Sequence, residues 1–332
     1  MQRREKLRRT AALRVVGVGG GGITAIEQLM KHGIKGIDFI VVDTDAESLH
    51  KSQAPIRILI DPKLAAAEGG DLLRVGAPPQ PYPIQTAIRN LRSALFGSDM
   101  VFIIGGLGGQ TAAGAANIVA HIAKEHQAVI LGILTLPFRF EGHARAQAAE
   151  RGVNQLTPLV DSLMLIANDR LMKILPEGIA FHETYRLAHH IWRQSIESIS
   201  ELVNKPGLIN VDFADVRTIM LKGGAAIIAT GRGQGAERAV LAAHQAVNGD
   251  LLGASIRGAQ GILFNVTGGP DVSLLEINQA AAVINARAHP DAYLIFGAAV
   301  DNSLTDTVEI TLIATGLRPT FPSRGRFLLF KS

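Results

Sequence analysis

Between residues 12 and 167 the chain alternates short unbroken apolar runs with longer amphipathic stretches. The runs ALRVVGV (12–18), IDFIVV (37–42), IRILI (56–60), MVFIIG (100–105), AVILGIL (128–134) and SLMLIA (162–167) lack the period-two alternation of a half-exposed strand. Continuous apolar strands are buried on both faces, as in a parallel sheet. Stretches with helical spacing lie between them at 23–32, 84–95, 112–125 and 144–157. This strand–helix alternation predicts a doubly wound α/β domain. A long helical stretch follows over 182–203 and meets a stop at Lys205-Pro206-Gly207, because proline cannot continue a helix. Beyond it, a short helix from about 213, strands near 225–230, 260–266, 292–298 and 307–314, and helices near 235–247 and 273–287 predict a second α/β unit. The expected organisation is a basic extension (1–11), a doubly wound domain (12–178), a central helix (179–207), a second α/β domain (208–317) and a basic, apolar tail (318–332). No internal repeat is visible.

Composition sharpens this picture. A chain of 332 residues that is 47% apolar and 19% charged can bury a large core, which excludes a mainly disordered protein. It contains 35 glycines, well above the usual share of about 7%, which points to tight turns and close approach of backbone to ligand. With 0 cysteines, disulfides, thiolate metal ligands and a thiol nucleophile are excluded. No apolar run reaches the roughly 18 residues of a membrane-spanning helix. The N-terminus MQRREKLRRT lacks the apolar stretch of a signal peptide, so a soluble, cytoplasmic protein is expected. The formal charge of +4 sits at the two ends: Arg3, Arg4, Lys6, Arg8 and Arg9 against Glu5, then Arg318, Arg324, Arg326 and Lys331 with no acid. The stretch between them is net acidic, which argues against a nucleic-acid-binding body. The ends are solvated tails or contacts for anionic lipid or a partner.

Two glycine-rich segments stand where strand meets helix. Gly17-Val18-Gly19-Gly20-Gly21-Gly22 satisfies G-x-G-x-x-G, a pattern that brings phosphate onto bare N–H groups at a helix start. The next strand ends in Asp43-Thr44-Asp45, where a dinucleotide site carries its ribose-binding acid. Gly105-Gly106-Leu107-Gly108-Gly109-Gln110-Thr111-Ala112-Ala113-Gly114 forms a second loop. Two such loops at adjacent strand ends would cradle a run of phosphates, which a single dinucleotide fingerprint does not need. After the long helix, Asn210-Val211-Asp212-Phe213-Ala214-Asp215-Val216 places two carboxylates at i,i+3, on one face if a helix begins there. They serve either as helix caps or to polarise a water. Their distance in sequence from the glycine loops suggests a ligand on another subunit.

These residues resemble FtsZ, the bacterial tubulin homologue of the division ring, over about 12–317. The first glycine loop is similar to the family's G-V-G-G-G-G-G-N. Pro137-Phe138-Arg139-Phe140-Glu141-Gly142 with Arg145 resembles P-F-x-F-E-G-x-x-R, and Asn168-Asp169-Arg170-Leu171 matches N-D-R-L. The loop from Asn210 to Val216 matches N-V-D-F-A-D-V without change, and Asn265-Val266-Thr267-Gly268-Gly269 and Ile295-Phe296-Gly297-Ala298 match in place. The resemblance implies a GTPase domain that binds GTP or GDP, a central helix and a second α/β domain. It also implies head-to-tail filaments in which the acidic loop of one subunit completes the active site over the nucleotide of the next. It assigns Asp212 and Asp215 to the attacking water with Asn210 in support. It assigns Gly19, Gly20, Gly21, Gly22, Gly106, Gly108, Gly109, Thr111 and Gly114 to phosphates, with Thr24 and Asp43 beside them, and Glu141 and Arg145 to ribose and base.

The departures from the family fall in the nucleotide pocket. The first loop ends in Ile23-Thr24 where the family has Gly-Asn, and Asp43 replaces an Asn, which would bring a carboxylate near phosphate. The second loop loses two glycines and a threonine at Gln110, Ala112 and Ala113, where a side chain is expected to be strained or to fill phosphate space. The stretch between 68 and 83 lacks the family's G-A-G-x-N-P-E. Counting back from Pro206 puts Tyr185 at the base-stacking Phe and His189 and His190 at an Asn-Asp pair, with His190 at the base-reading Asp. Adjacent helical residues diverge by about 100°, so paired histidines do not argue for metal, and no metal site is expected. The family's C-terminal adaptor peptide is replaced by Phe327-Leu328-Leu329-Phe330 among basic residues, expected to pack on the body or touch membrane. The reading is an FtsZ-like filament protein with weak or absent GTP turnover, its partner itself or an orthodox FtsZ. The alternatives are a working, divergent GTPase of cell division and, remotely, an NAD-dependent oxidoreductase, which leaves the acidic loop unexplained.

Overall fold

The computed structural model describes residues 10–66, 80–175, 181–205, 207–248 and 255–317. The strands are β1 (Leu13–Val18), β2 (Ile37–Asp43), β3 (Ile56–Leu59), β4 (Met100–Gly106), β5 (Val129–Leu136), β6 (Ser162–Ala167), β7 (Ala225–Gln234), β8 (Gly261–Gly268), β9 (Tyr293–Val300) and β10 (Thr307–Leu317). They form one sheet in the order β3-β2-β1-β4-β5-β6-β7-β10-β8-β9. The first six are parallel. In the second half β10 runs antiparallel to β7 and β8, and β9 lies parallel to β8 at the edge. The halves meet at the pair Leu163–Ala225.

The helices are α1 (Gly19–Lys31), α2 (Ala46–Lys51), α3 (Pro62–Ala66), α4 (Tyr82–Leu95), α5 (Gln110–Glu125), α6 (His143–Leu156), α7 (Asn168–Ile174), α8 (Phe181–Asn204), α9 (Phe213–Met220), α10 (Arg238–Asn248) and α11 (Leu274–Asn285). They cover both faces, which is why the strands carry no alternation: all of β5 is buried. Val15, Val41, Phe102, Ile104 and Ile133 point to one face, against Ile26 of α1 and Ile191, Trp192 and Ile196 of α8. Val16, Val18, Ile40, Val101 and Ile103 point to the other, against α4, α5 and α6.

The α8 sequence buries Ile191, Trp192, Ile196, Ile199 and Leu202, a stripe at helical spacing. The Trp192 indole donates to the Ile133 carbonyl at 2.8 Å, which fixes the height of α8 on β5. The helix runs opposite to the strands: its first half stands by the chain just past β5, and Ser200 near its end reaches the Lys35 carbonyl ahead of β2. No described helix is long and apolar enough to cross a membrane. The largest boundary shifts from the sequence expectation are at two elements. α1 starts inside the glycine run, and β7 continues to Gln234. Both basic tails and most of the 68–83 stretch lie outside the described residues.

Candidate functional site

The strand order reverses direction between β1 and β4, the place where an open parallel sheet leaves a crevice for ligand. Val18 and Gly105 are register partners there, so both glycine segments open at one sheet end. The α1 helix begins at Gly19 (φ 67°) and α5 follows Gly109. Neither has a side-chain cap or an acid in its first turn. Their leading N–H groups are therefore left for a ligand, and the helix dipoles favour an anion.

The glycines divide by what surrounds them. A Cβ at Gly20 or Gly109 would meet nothing within 4 Å, and one at Gly21 would face the Gly106 nitrogen at 3.5 Å. These bare positions line open space of the kind a phosphate needs, so the residues present fit one. Gly22 serves packing: its Cβ would lie 2.9 Å from Gly17 Cα and from the Ile104 carbonyl oxygen. Gly114 does the same for α3, since a Cβ would fall 1.6 Å from the Ala65 oxygen. Gly108 (φ 114°) lies against Pro137 and Arg145, 3.3 and 3.5 Å from its would-be Cβ.

One expectation about the pocket needs correction, and several side chains around it are engaged within the chain. Gln110, Ala112 and Ala113 lie in the first turn of α5 with no positive φ, so the expected strain does not arise. Ala112 is buried beside Gly19, and Ala113 faces Gly152 of α6, 2.9 Å from its would-be Cβ. Their methyls pack between elements. The buried Asp43 carboxylate accepts the N–H groups of Thr44 (2.7 Å) and Asp45 (3.4 Å), which closes its own loop. The Thr24 hydroxyl donates to the Gly20 carbonyl at 3.0 Å. Thr111 hydrogen-bonds Thr44 at 2.8 Å, tying α5 to the β2 end.

The far rim is built after β5. Glu141 accepts the Phe138 N–H at 2.8 Å and pairs with Arg145. Asp169 of α7 accepts the Arg139 N–H at 3.2 Å and pairs with its guanidinium at 3.4 Å, holding this turn in place. Tyr185 meets Phe138 edge-on with centroids 6.0 Å apart. Burial, then the Glu141 charge, holds its phenol above the usual range. His189, one turn on, stacks on Trp192 at 5.5 Å and 25°, and burial pushes its imidazole down. His190, placed by counting at the base-reading position, does not share this face. It is exposed and lies 3.2 Å from the Arg193 guanidinium. Partial desolvation of the ring lowers its pKa first, then Arg193, with Glu197 opposing and His32 at the far end of α1 adding to the fall. An i,i+4 spacing keeps Tyr185 and His189 together, so His189 is the histidine beside the pocket.

The acidic loop stands elsewhere. Asp212 caps α9 by accepting the Asp215 N–H at 3.1 Å, and Asp215 accepts the Asp212 N–H at 2.9 Å, a reciprocal capping box. Asn210 accepts the Gly207 N–H at 2.7 Å and shapes the turn before it. The loop docks on edge strand β9 through paired backbone bonds between Ile209 and Ala298 at 3.1 and 3.0 Å. A Cβ on Gly297 would lie 2.7 Å from Val211 Cγ2 and 2.5 Å from the Asn265 amide oxygen, which explains why this glycine accompanies the acidic loop. From Tyr185 to Asn204 the α8 axis spans roughly 29 Å at a rise of about 1.5 Å per residue. Cradle and acidic loop thus occupy opposite ends of the molecule.

A sheet whose first six strands are parallel, with a glycine-lined crevice at its reversal point and a long helix leading into a second α/β unit, defines the tubulin-like fold. Residues 12–176 match the Tubulin/FtsZ family, GTPase domain, and residues 224–318 the FtsZ family, C-terminal domain. The chain belongs to the tubulin/FtsZ family. It is similar to an empty FtsZ dimer of M. jannaschii at 36% identity, covering 93% of this chain and 89% of that one, with a TM-score of 0.76. The fold is also shared with the GDP-bound CetZ1 monomer of Haloferax volcanii at 18% identity, covering 92% of this chain and 94% of that one (TM-score 0.73). A CetZ of Methanosaeta thermophila shares it at 15%, covering 92% of this chain and 87% of that one (0.72).

Proposed function

We propose that this chain is an FtsZ-like cytoskeletal protein that assembles head to tail, the acidic loop of one copy seated over the glycine cradle of the next. The supporting observation is the separation along α8: no single copy can bring Asp212 and Asp215 to its own cradle. A contact between two different faces repeats without closing and gives a filament. Each of the two carboxylates keeps one oxygen outside the capping box, suited to orienting a water on a neighbour's nucleotide. Asn210 acts by shaping the loop. The ligand is a nucleotide, guanine being the base the family implies. We place the weakening of this pocket at the base end, around Tyr185 and His189, with the phosphate end serviceable. Hydrolysis is slow because a nucleotide held loosely at one end presents its terminal phosphate less often in line with the water. A second reading, a GTPase of ordinary speed, draws on the unstrained first turn of α5.

The test measures nucleotide content of the purified protein together with sedimentation with and without GTP. Pelleting polymer with turnover well below about 1 per second supports the proposal. Faster turnover selects the second reading, and protein that stays monomeric at high concentration, alone and with an orthodox FtsZ, overturns assembly.

A further inference from the structure

We propose that His189 makes the base end of this pocket indifferent between guanine and adenine, so that it takes purine nucleoside triphosphates of either kind. This rests on the cradle being a phosphate site.

The sheet register sets the height of the histidine. Gly17, Ile104 and Ile133 are partners across β1, β4 and β5, and Trp192 is hydrogen-bonded to Ile133. His189 lies three residues nearer the start of α8, roughly 4.5 Å further toward the strand ends, which is the level of the cradle. Gly108 lies against Arg145, Arg145 pairs with Glu141, and both charges act on Tyr185, so a nucleotide with its phosphates on the first turns of α1 and α5 would extend along this row toward the Tyr185 ring. His189 is the next side chain on that face.

The imidazole is prepared for an edge-on contact. One ring face lies on the buried Trp192, which fixes the plane of the ring. Its nitrogens have no hydrogen-bond partner among the described residues, although the ring is half-buried. Burial lowers its pKa from 6.5, so it is neutral at pH 7. A neutral imidazole has one donor and one acceptor on opposite sides of the ring, so it offers a base one nitrogen at a time. As an acceptor that nitrogen takes the N1–H of guanine; in the other tautomer it donates to N1 of adenine. Each purine gains one neutral hydrogen bond. A carboxylate facing the guanine edge would accept two and reject adenine, and large base discrimination depends on leaving such polar groups unpaired with the wrong ligand.

Competition binding of GTP, ATP and tripolyphosphate to nucleotide-stripped protein tests this. Wild type is expected to bind GTP and ATP within tenfold of each other, both tighter than tripolyphosphate. His189→Asp should raise the GTP preference at least tenfold, and His190→Asp should leave it unmoved. A wild-type preference for GTP above a hundredfold overturns the proposal. So does a His189→Asp ratio equal to wild type, or a ratio that moves with His190→Asp in its place. If tripolyphosphate binds as tightly as the nucleotides, the base makes no contact, and the proposal falls while the cradle stands. If none of the three binds, the cradle reading falls with it.

Discussion

A methyl group added at Gly114 would lie 1.6 Å from the Ala65 carbonyl oxygen, whereas one at Gly20 would meet nothing within 4 Å. Both glycines read as phosphate ligands in sequence, because a motif records that a side chain is missing and not what fills the space. Gly114→Ala must push α3 away from α5 and should cost about 2 kcal/mol or more in urea unfolding, the scale of overpacking a tight contact. Gly20→Ala should hold stability within about 0.5 kcal/mol and weaken tripolyphosphate binding, because its methyl enters the cradle. Equal destabilisation by the two would show that both glycines are there for packing. Ala112 and Ala113 teach the converse: side chains that read as strained loop positions sit unstrained in a helix and pack against Gly19 and Gly152. The histidine pair was likewise ambiguous. Counting fixes a position along α8 but not which neighbour stands beside each face, and only the placement of Trp192 on β5 and His190 beside Arg193 decides it.

At the scale of elements, long periodic segments were legible in the chain and short ones were not. The apolar runs of the first six strands and the stripe of α8 carry enough repeats to reveal their period. The two-turn or shorter α2, α3 and α7 do not. The start of α1 was hidden because glycine is a poor helix former, so the helix was expected from Ile23 and not from Gly19. In α9 the capping box and the chemistry proposed for it use the same two carboxylates, and two substitutions separate them. Asp212→Ala loses the cap and should cost about 1 kcal/mol. Asp212→Asn keeps a capping oxygen and near wild-type stability, yet removes the charge and should lower any GTP turnover. Stability lost equally in both variants would count against the cap. The second half carries its own ion cluster. Buried Arg238 of α10 donates to Glu276 of α11 at 2.7 Å and pairs with Asp271 at 2.8 Å. Arg238, with the Ser273 backbone and hydroxyl adding to it, holds the Glu276 carboxyl down to about 2 from 4.5. A depressed carboxyl stabilises the fold above its unfolded pKa, and that contribution disappears as pH falls from about 4.5 toward 2. Unfolding at pH 7 and pH 3 should therefore differ more in wild type than in Glu276→Gln. An equal difference in both would place the acid sensitivity elsewhere.

At the scale of the molecule, two faces about 29 Å apart along α8 cannot meet within one copy. The doubly wound half and the second α/β half were readable from hydrophobic pattern, but the distance between cradle and acidic loop was not. It depends on α8 running opposite to the strands and on β9 holding the loop by Ile209 and Ala298. Two single-face variants test the arrangement. Gly20→Arg places a long side chain in the open cradle without touching the core, and Asp212→Lys reverses the charge at the other end. Each alone should fail to pellet. Mixed in equal amounts, the intact acidic face of the first can still meet the intact cradle of the second, and the pair has no further usable face. The mixture should therefore yield a 1:1 dimer and nothing longer in analytical ultracentrifugation. Recovery of long polymer in the mixture would mean that the faces do not act in series, and a mixture that stays monomeric would mean that they do not meet.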